Sequence, residues 1–140
     1  MKKKRVVIID AQGGGLGKQL ISRLRKENIN AELIAVGTNS AASAAMLKAG
    51  ADRAATGENA VVVCARTADY IIGPVGIVIA DSMLGEITPA IAKAVGQSDA
   101  MRILIPFNNC SNYMAGTDGI ATGDLINDAA SHLAQLLRNE

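Results

Sequence analysis

A three-layer α/β sandwich, with a mostly parallel sheet of about five strands and helices on both faces, is predicted by three observations. Short β-branched runs alternate with stretches of helical periodicity along the chain. The first run, Arg5 to Asp10, is apolar at nearly every position, as in a strand covered on both faces. The 140 residues are 49% hydrophobic but only 2% aromatic, so the core is aliphatic and alanine-rich, which suits helices packed closely on a sheet.

The elements follow in order. After the strand Arg5–Asp10 comes a glycine loop, Gln12 to Gly17, and then Leu16, Leu20, Ile21 and Leu24 at helical spacing, an amphipathic helix ending near Glu27. Ala31 to Val36 is a second strand closed by Gly37. Asn39 or Ser40 caps a helix over Ala41–Lys48, which Gly50 stops. Ala54 and Ala55 form a short third strand, and Thr56 caps a helix from Glu58 to Arg66, although Val61-Val62-Val63 also suits a strand. Asp69 to Ile72 is a strand ending in Gly73-Pro74, and Ile77 to Leu84 fits no single element. Thr88 caps a helix over Pro89–Val95, with Pro89 at its first position and Gly96 as its stop. Arg102 to Ile105 is a strand ended by Pro106, Tyr113 to Ala115 a last short strand, and Asp124 to Leu137 the clearest helix, with Leu125, Ile126, Ala129, Ala130, Leu133, Leu136 and Leu137 in one stripe. No repeat, linker or low-complexity tract interrupts the series, so one domain over residues 1–140 is expected.

Composition removes several classes of function. With 14 Lys+Arg against 13 Asp+Glu the net charge is +1, so no basic footprint for nucleic acid is present. Phe107, Tyr70 and Tyr113 are too few to stack a single strand. The basic start, Met1 to Arg5, is followed by an apolar run that stops at Asp10, short of the about 7–15 residues of a signal sequence. The longest apolar stretch, Ile71 to Ala80, is broken by Gly73, Pro74 and Gly76 and falls below the roughly 18 residues of a membrane span. A cytoplasmic protein with reduced Cys64 and Cys110 is expected. One His and no CxxC spacing give no zinc pattern.

The sharpest motif is Asp10-Ala11-Gln12-Gly13-Gly14-Gly15-Leu16-Gly17-Lys18. It lies where a doubly wound sheet binds phosphate, after strand one and opening helix one. Glycines let backbone N–H groups approach a pyrophosphate there, and the helix terminus adds partial positive charge. Lys18 can add a charged contact. GxGxxG does not fit. GxxxGxG fits with Ala11 in its first place and Gly15 and Gly17 in the others; a P-loop fails at Gln12 and Gln19. The alternative is a glycine-rich turn that only lets the helix pack on the sheet.

Other strand ends are also small and polar: Gly37-Thr38-Asn39-Ser40, Thr56-Gly57-Glu58-Asn59, Gly73-Pro74-Val75-Gly76 and Asn108-Asn109-Cys110. Strand two carries no acid for a ribose, so Thr38, Asn39 and Ser40 can take a 2′-phosphate or another phosphate, or simply cap a helix. Gly73-Pro74-Val75-Gly76 allows close backbone approach to a ligand or a neighbouring subunit. A ligand is therefore expected on Gly13, Gly14, Gly15, Leu16, Gly17 and Lys18, walled by Gly37, Thr38, Asn39, Gly73, Pro74 and Gly76. Acid–base groups are scarce. Asp10, Asp81, Ser82 and Glu86 are candidates, Asp81 and Glu86 reading more readily as solvated acids near a helix N-terminus, while Cys110 lacks a nearby base because His132 lies far away in sequence on the polar face of the last helix.

Several strings taken together resemble a known family. They are Ile8-Ile9-Asp10 with Gln12 to Leu20, Gly37-Thr38-Asn39, Met46 to Ala51, Ala55 to Ala60, Ile72-Gly73-Pro74, Ser82 to Ala90, and Ile103 to Pro106. The chain is similar to the bacterial domain-of-unknown-function family numbered 3842. The resemblance runs up to Cys110; Met114 to Gly123 looks unlike the family tail, and Ala11 stands where the family shows Gly. It implies a small Rossmann-like cytoplasmic protein and no particular activity. The residues themselves lead to a nucleotide- or dinucleotide-binding protein, with NAD(P) or another nucleotide as ligand. The alternatives are a non-catalytic sensing or adaptor module and a degenerate P-loop NTPase. A homodimer is expected through the apolar Tyr70–Leu84 region.

Overall fold

The computed structural model describes residues 2–107 and 111–140. Five strands, β1 (Lys4–Asp10), β2 (Ala31–Gly37), β3 (Arg53–Thr56), β4 (Tyr70–Pro74) and β5 (Met101–Ile105), alternate with α1 (Gly15–Lys26), α2 (Ser40–Ala49), α3 (Glu58–Thr67) and α4 (Pro89–Gly96), and α5 (Thr122–Arg138) follows. The strand order is β3-β2-β1-β4-β5 and every pairing is parallel. This is the Rossmann-like α/β sandwich that the alternation predicts. The order reverses between β1 and β4, so the two loops leaving those strands diverge to opposite sides and leave a crevice at their carboxyl ends.

The period-2 alternation of β1 divides the core. Val6 and Ile8 join Leu33, Ala35 and Ile72 under α1, α2 and α5, whereas Val7 and Ile9 join Ile34, Val36 and Ile71 under α3 and α4. Leu16, Leu20, Ile21 and Leu24 form the buried stripe of α1, and Ile126, Ala129, Ala130 and Leu133 that of α5. Each fully buried Leu or Ile contributes about 1.5–3 kcal/mol.

Two predicted caps are in place: Asn39 accepts from the Ala42 N–H at the start of α2, and Thr88 accepts from Ile91 at the start of α4, where Pro89 opens the helix. Val61 to Val63 is helical, because Val61 and Ala65, one turn apart, face the core while Val63 is exposed. Two expectations are corrected. Thr56 does not cap α3; its hydroxyl binds Ser43 Oγ at 2.7 Å, tying β3 to α2, and Gly57 (φ 103°) occupies the cap position. Tyr113 to Ala115 is not a strand. The segment turns back on itself through Thr117 N–H and Oγ1, both bonded to the Met114 carbonyl, and Tyr113 is exposed with its hydroxyl on Asp118.

The apolar segment expected to form a dimer interface is largely internal. Tyr70 to Ile77 is buried, because β4 lies between β1 and β5, and only Leu84 projects fully, 97% exposed. No helix among the described residues is long and apolar enough to cross a membrane.

Candidate functional site

The glycine loop combines two roles. Gly14 (φ 73°) is pressed against α2: an added Cβ would meet Ala42 Cα at 2.9 Å. Gly17 lies over Asp10 and Met46, where a Cβ would meet Met46 Sδ at 2.5 Å. These two glycines serve the packing of α1 and explain part of the cluster without a ligand. Gly13 and Gly15 do not: an added Cβ at either meets nothing within 4 Å. The open space lies over the helix terminus. The N–H groups of Gly13, Gly15 and Leu16 have no hydrogen-bond partner among the described residues, and the first helical bond is Lys18 N–H to the Gly14 carbonyl. Free N–H groups at a helix N-terminus are donors ready for an anion.

Asp10 reaches the same terminus from below. Its buried carboxylate accepts the Ala11 and Gly17 N–H groups, each at 2.8 Å, and so caps α1 from the end of β1. Burial pushes its pKa up, against the two backbone bonds that lower it. With both oxygens engaged, Asp10 is a structural acid first and a proton carrier only if the cap opens.

A cavity of about 180 Å³ opens over this loop, lined by Asp10 to Leu16 with Pro74, Met83 and Phe107. It bridges the β1 and β4 ends, the crevice that the strand order creates. A whole drug-sized ligand needs about 300–1,000 Å³, so the cavity suits a phosphate end with the rest of the ligand along the sheet edge. A larger hollow of about 500 Å³ lies between α3 and α4, bordered by Val62, Ala65, Lys93 and Gln97. It borders neither the glycine loop nor a strand's carboxyl end, so size alone does not favour it.

The other expected wall residues are only partly gathered. Pro74 lines the cavity. Gly37 and Gly73 are explained by the chain itself, since an added Cβ would meet the backbone at Ser43 N and at the Ile9 carbonyl oxygen; at Gly76 it would meet only the side-chain ends of Met83 and Ser82, which can give way. The close approach expected of the Gly73–Gly76 segment is therefore to β1 and to the loop that follows it. Lys18 points along the α1–α5 flank beside Gln19, Ser22 and Asn127 rather than into the cavity. Asn108, Asn109 and Cys110 lie outside the described residues. His132 is exposed on α5, and no metal-binding group of His, Cys, Asp and Glu side chains is present among the described residues.

Thr38 and Asn39 have an unexpected partner. Glu86 Oε1 accepts from the Gln12 N–H at 2.8 Å, Thr38 Oγ1 at 2.7 Å and Asn39 Nδ2 at 2.9 Å. Asn39 Nδ2 also donates to the Gln12 carbonyl. Glu86 arrives on the loop between β4 and α4, which crosses the sheet edge to reach the end of β2. That loop holds three non-glycine residues in the left-handed region, Asp81 (φ 67°), Met83 (φ 55°) and Leu84 (φ 57°), each at a cost of about 1 kcal/mol or more. Asp81 N–H to the Ile87 carbonyl at 2.7 Å and Ser82 Oγ to the Gly76 carbonyl at 2.6 Å hold it in this shape. The sequence marks Glu86 as a solvated acid or an acid–base candidate; no local signal links it to Thr38, 48 residues away.

Burial of the Glu86 carboxyl raises its pKa, but the Gln12, Thr38 and Asn39 bonds outweigh this, and the net shift is downward. A depressed folded-state pKa contributes stability above the unfolded value and loses it as pH falls through the folded value. The difference in stability between wild type and Glu86→Gln is therefore expected to be constant at neutral pH and to shrink below the ordinary glutamate range. Urea unfolding of both proteins across the acid range checks this; a difference independent of pH contradicts it.

Among solved structures, the chain is similar to the FtsZ W319Y mutant from M. jannaschii, at 14% identity and a TM-score of 0.48, covering 99% of this chain and 58% of that one. It is also similar to the dodecameric FMN-dependent Ubix-like decarboxylase from Escherichia coli O157:H7, at 20% identity and a TM-score of 0.43, covering 94% of this chain and 76% of that one. The chain thus spans little more than half the length of the FtsZ chain. Among curated protein sequences nothing matches. The model of the family described as Domain of unknown function (DUF3842) matches residues 5–138, so the segment Met114–Gly123, which looked unlike the family tail, falls inside the match. With nearly its whole length matched, this chain belongs to the DUF3842 family.

Proposed function

We propose that the protein binds a nucleotide or dinucleotide whose phosphates rest on the N–H groups of Gly13, Gly15 and Leu16. The observation that carries this reading is the set of three unpartnered N–H groups at the start of α1, facing a cavity of about 180 Å³ in the crevice between β1 and β4. Lys18 contributes by general attraction from the flank rather than as the lysine of a P-loop, which argues against the NTPase alternative. The scarcity of free acid–base groups favours binding over chemistry. Asp10 is committed to the α1 cap through both oxygens, and Glu86 is held in place by Gln12, Thr38 and Asn39 through Oε1 alone. A sensing module that reads a nucleotide without turning it over fits that arrangement.

Thermal unfolding against a panel of mono- and dinucleotides tests the reading. A bound nucleotide at about 100 times its Kd adds roughly 2.7 kcal/mol and raises the midpoint in proportion to the logarithm of concentration. No shift with any phosphorylated member, together with a native mass spectrum free of any bound nucleotide, contradicts it.

A further inference from the structure

The end of β2 carries no acid of its own, yet the fold places one there. Glu86 is bound by Gln12, the residue that precedes the free donors of the glycine loop, and by Thr38 and Asn39, the first two residues past β2. All three bonds go to one oxygen, Oε1, while Oε2 accepts none among the described residues. We propose that Glu86 is the hydroxyl-recognising residue of the site, accepting the free vicinal hydroxyls of a ribose with Oε2, so that the ligand is a ribonucleotide without a 2′-phosphate.

The proposal rests on the nucleotide reading above and narrows it. In sheets of this order, the ribose beside the phosphates lies at the end of the strand adjacent to β1, and an acid there takes its hydroxyls. Here that acid is supplied by the crossing loop instead of by β2. Three donors on Oε1 fix the carboxylate's orientation, which lowers the entropy lost when a ligand engages Oε2. They also commit Thr38 and Asn39, the neutral donors that a 2′-phosphate would need. A 2′-phosphate at this place would meet a carboxylate instead, a juxtaposition of like charges. The loop that carries Glu86 holds Asp81, Met83 and Leu84 in left-handed conformations, a costly local shape.

The test is a calorimetric titration of wild type, Glu86→Gln and Gly15→Asp with ADP-ribose and with ADP-ribose 2′-phosphate. Glu86→Gln keeps the size of the side chain and an oxygen for Thr38, and an unchanged far-ultraviolet spectrum verifies its fold. Wild type is expected to bind ADP-ribose at least tenfold more tightly than its 2′-phosphate. Glu86→Gln is expected to lose about tenfold for ADP-ribose and to erase or reverse that preference, the loss of one charged hydrogen bond and of one repulsion. ADP-ribose binding that Gly15→Asp abolishes but Glu86→Gln leaves unchanged or strengthens overturns the role of Glu86 alone and leaves the phosphate site standing. Equal affinity of wild type for the two probes, or preference for the 2′-phosphate, does the same. Binding of neither probe to wild type overturns the role of Glu86, whereas the nucleotide reading is decided by the wider panel above.

Discussion

Gly73→Ala is expected to destabilise the protein by about 3 kcal/mol, the upper part of the range for overpacking a close-packed core, and to lower the thermal midpoint by roughly 10 °C. Gly73 lies in β4, opposite Leu104 of β5, and an added Cβ would stand 2.4 Å from the Ile9 carbonyl oxygen of β1. That oxygen is backbone in the middle of the sheet, so neither strand can yield without losing register, and Ile9 and Ile72 beside it are fully buried. Against a total stability of about 5–15 kcal/mol for a domain of this kind, the loss is large. Urea and thermal unfolding measure it. A midpoint within a degree or two of wild type contradicts the account of Gly73 as a packing glycine and returns it to the ligand wall.

Gly15→Asp is expected to do the reverse: abolish ligand binding, by at least a hundredfold, while the fold stands. Gly15 is the first residue of α1 and meets nothing within 4 Å when a Cβ is added. A carboxylate there enters the space over the free N–H groups, accepts from them itself and repels phosphate. An acid in the first turn favours the helix dipole by about 0.3–1 kcal/mol, so the thermal midpoint should be level or slightly raised. Titration with ADP-ribose and a thermal melt of the same preparation separate the two effects. Wild-type affinity in the mutant contradicts the phosphate site, whatever the melt shows.

Together these substitutions divide a feature that looked uniform in the sequence. Gly13-Gly14-Gly15 reads there as a single loop signal. In the structure Gly14, like Gly17, is required by the contact of α1 with its neighbours, while Gly13 and Gly15 are required by nothing in the chain. Sequence cannot make that division, because it depends on the approach of α2, whose Ala42 lies 28 positions along the chain from Gly14.

Elements whose signal is local were legible. β1 announces itself by burial on both faces, α5 by its apolar stripe, and α2 and α4 by Asn39 and Thr88 at their caps. What depended on a partner was not legible. Tyr113 to Ala115 has the composition of a strand but pairs with none of the strands among the described residues, and Thr117 instead closes a turn onto the Met114 carbonyl. Thr56 looks like a cap, yet its hydroxyl is taken by Ser43 of α2. Glu86 reaches Thr38 and Gln12 only because a strained loop crosses the sheet edge, and nothing in its flanking residues encodes that crossing. The phosphate end of the candidate site was visible as glycines after the first strand; the carboxylate beside it became visible only in three dimensions.

The most direct test is an amide ¹H–¹⁵N titration of the wild-type protein with ADP-ribose. The N–H signals of Gly13, Gly15 and Leu16 are expected to move furthest and downfield, as donors to phosphate do, with smaller changes at Gln12 and Thr38. Binding whose shifts are confined elsewhere, such as to the groove between α3 and α4, with Gly13, Gly15 and Leu16 unmoved, would contradict a phosphate site at the start of α1.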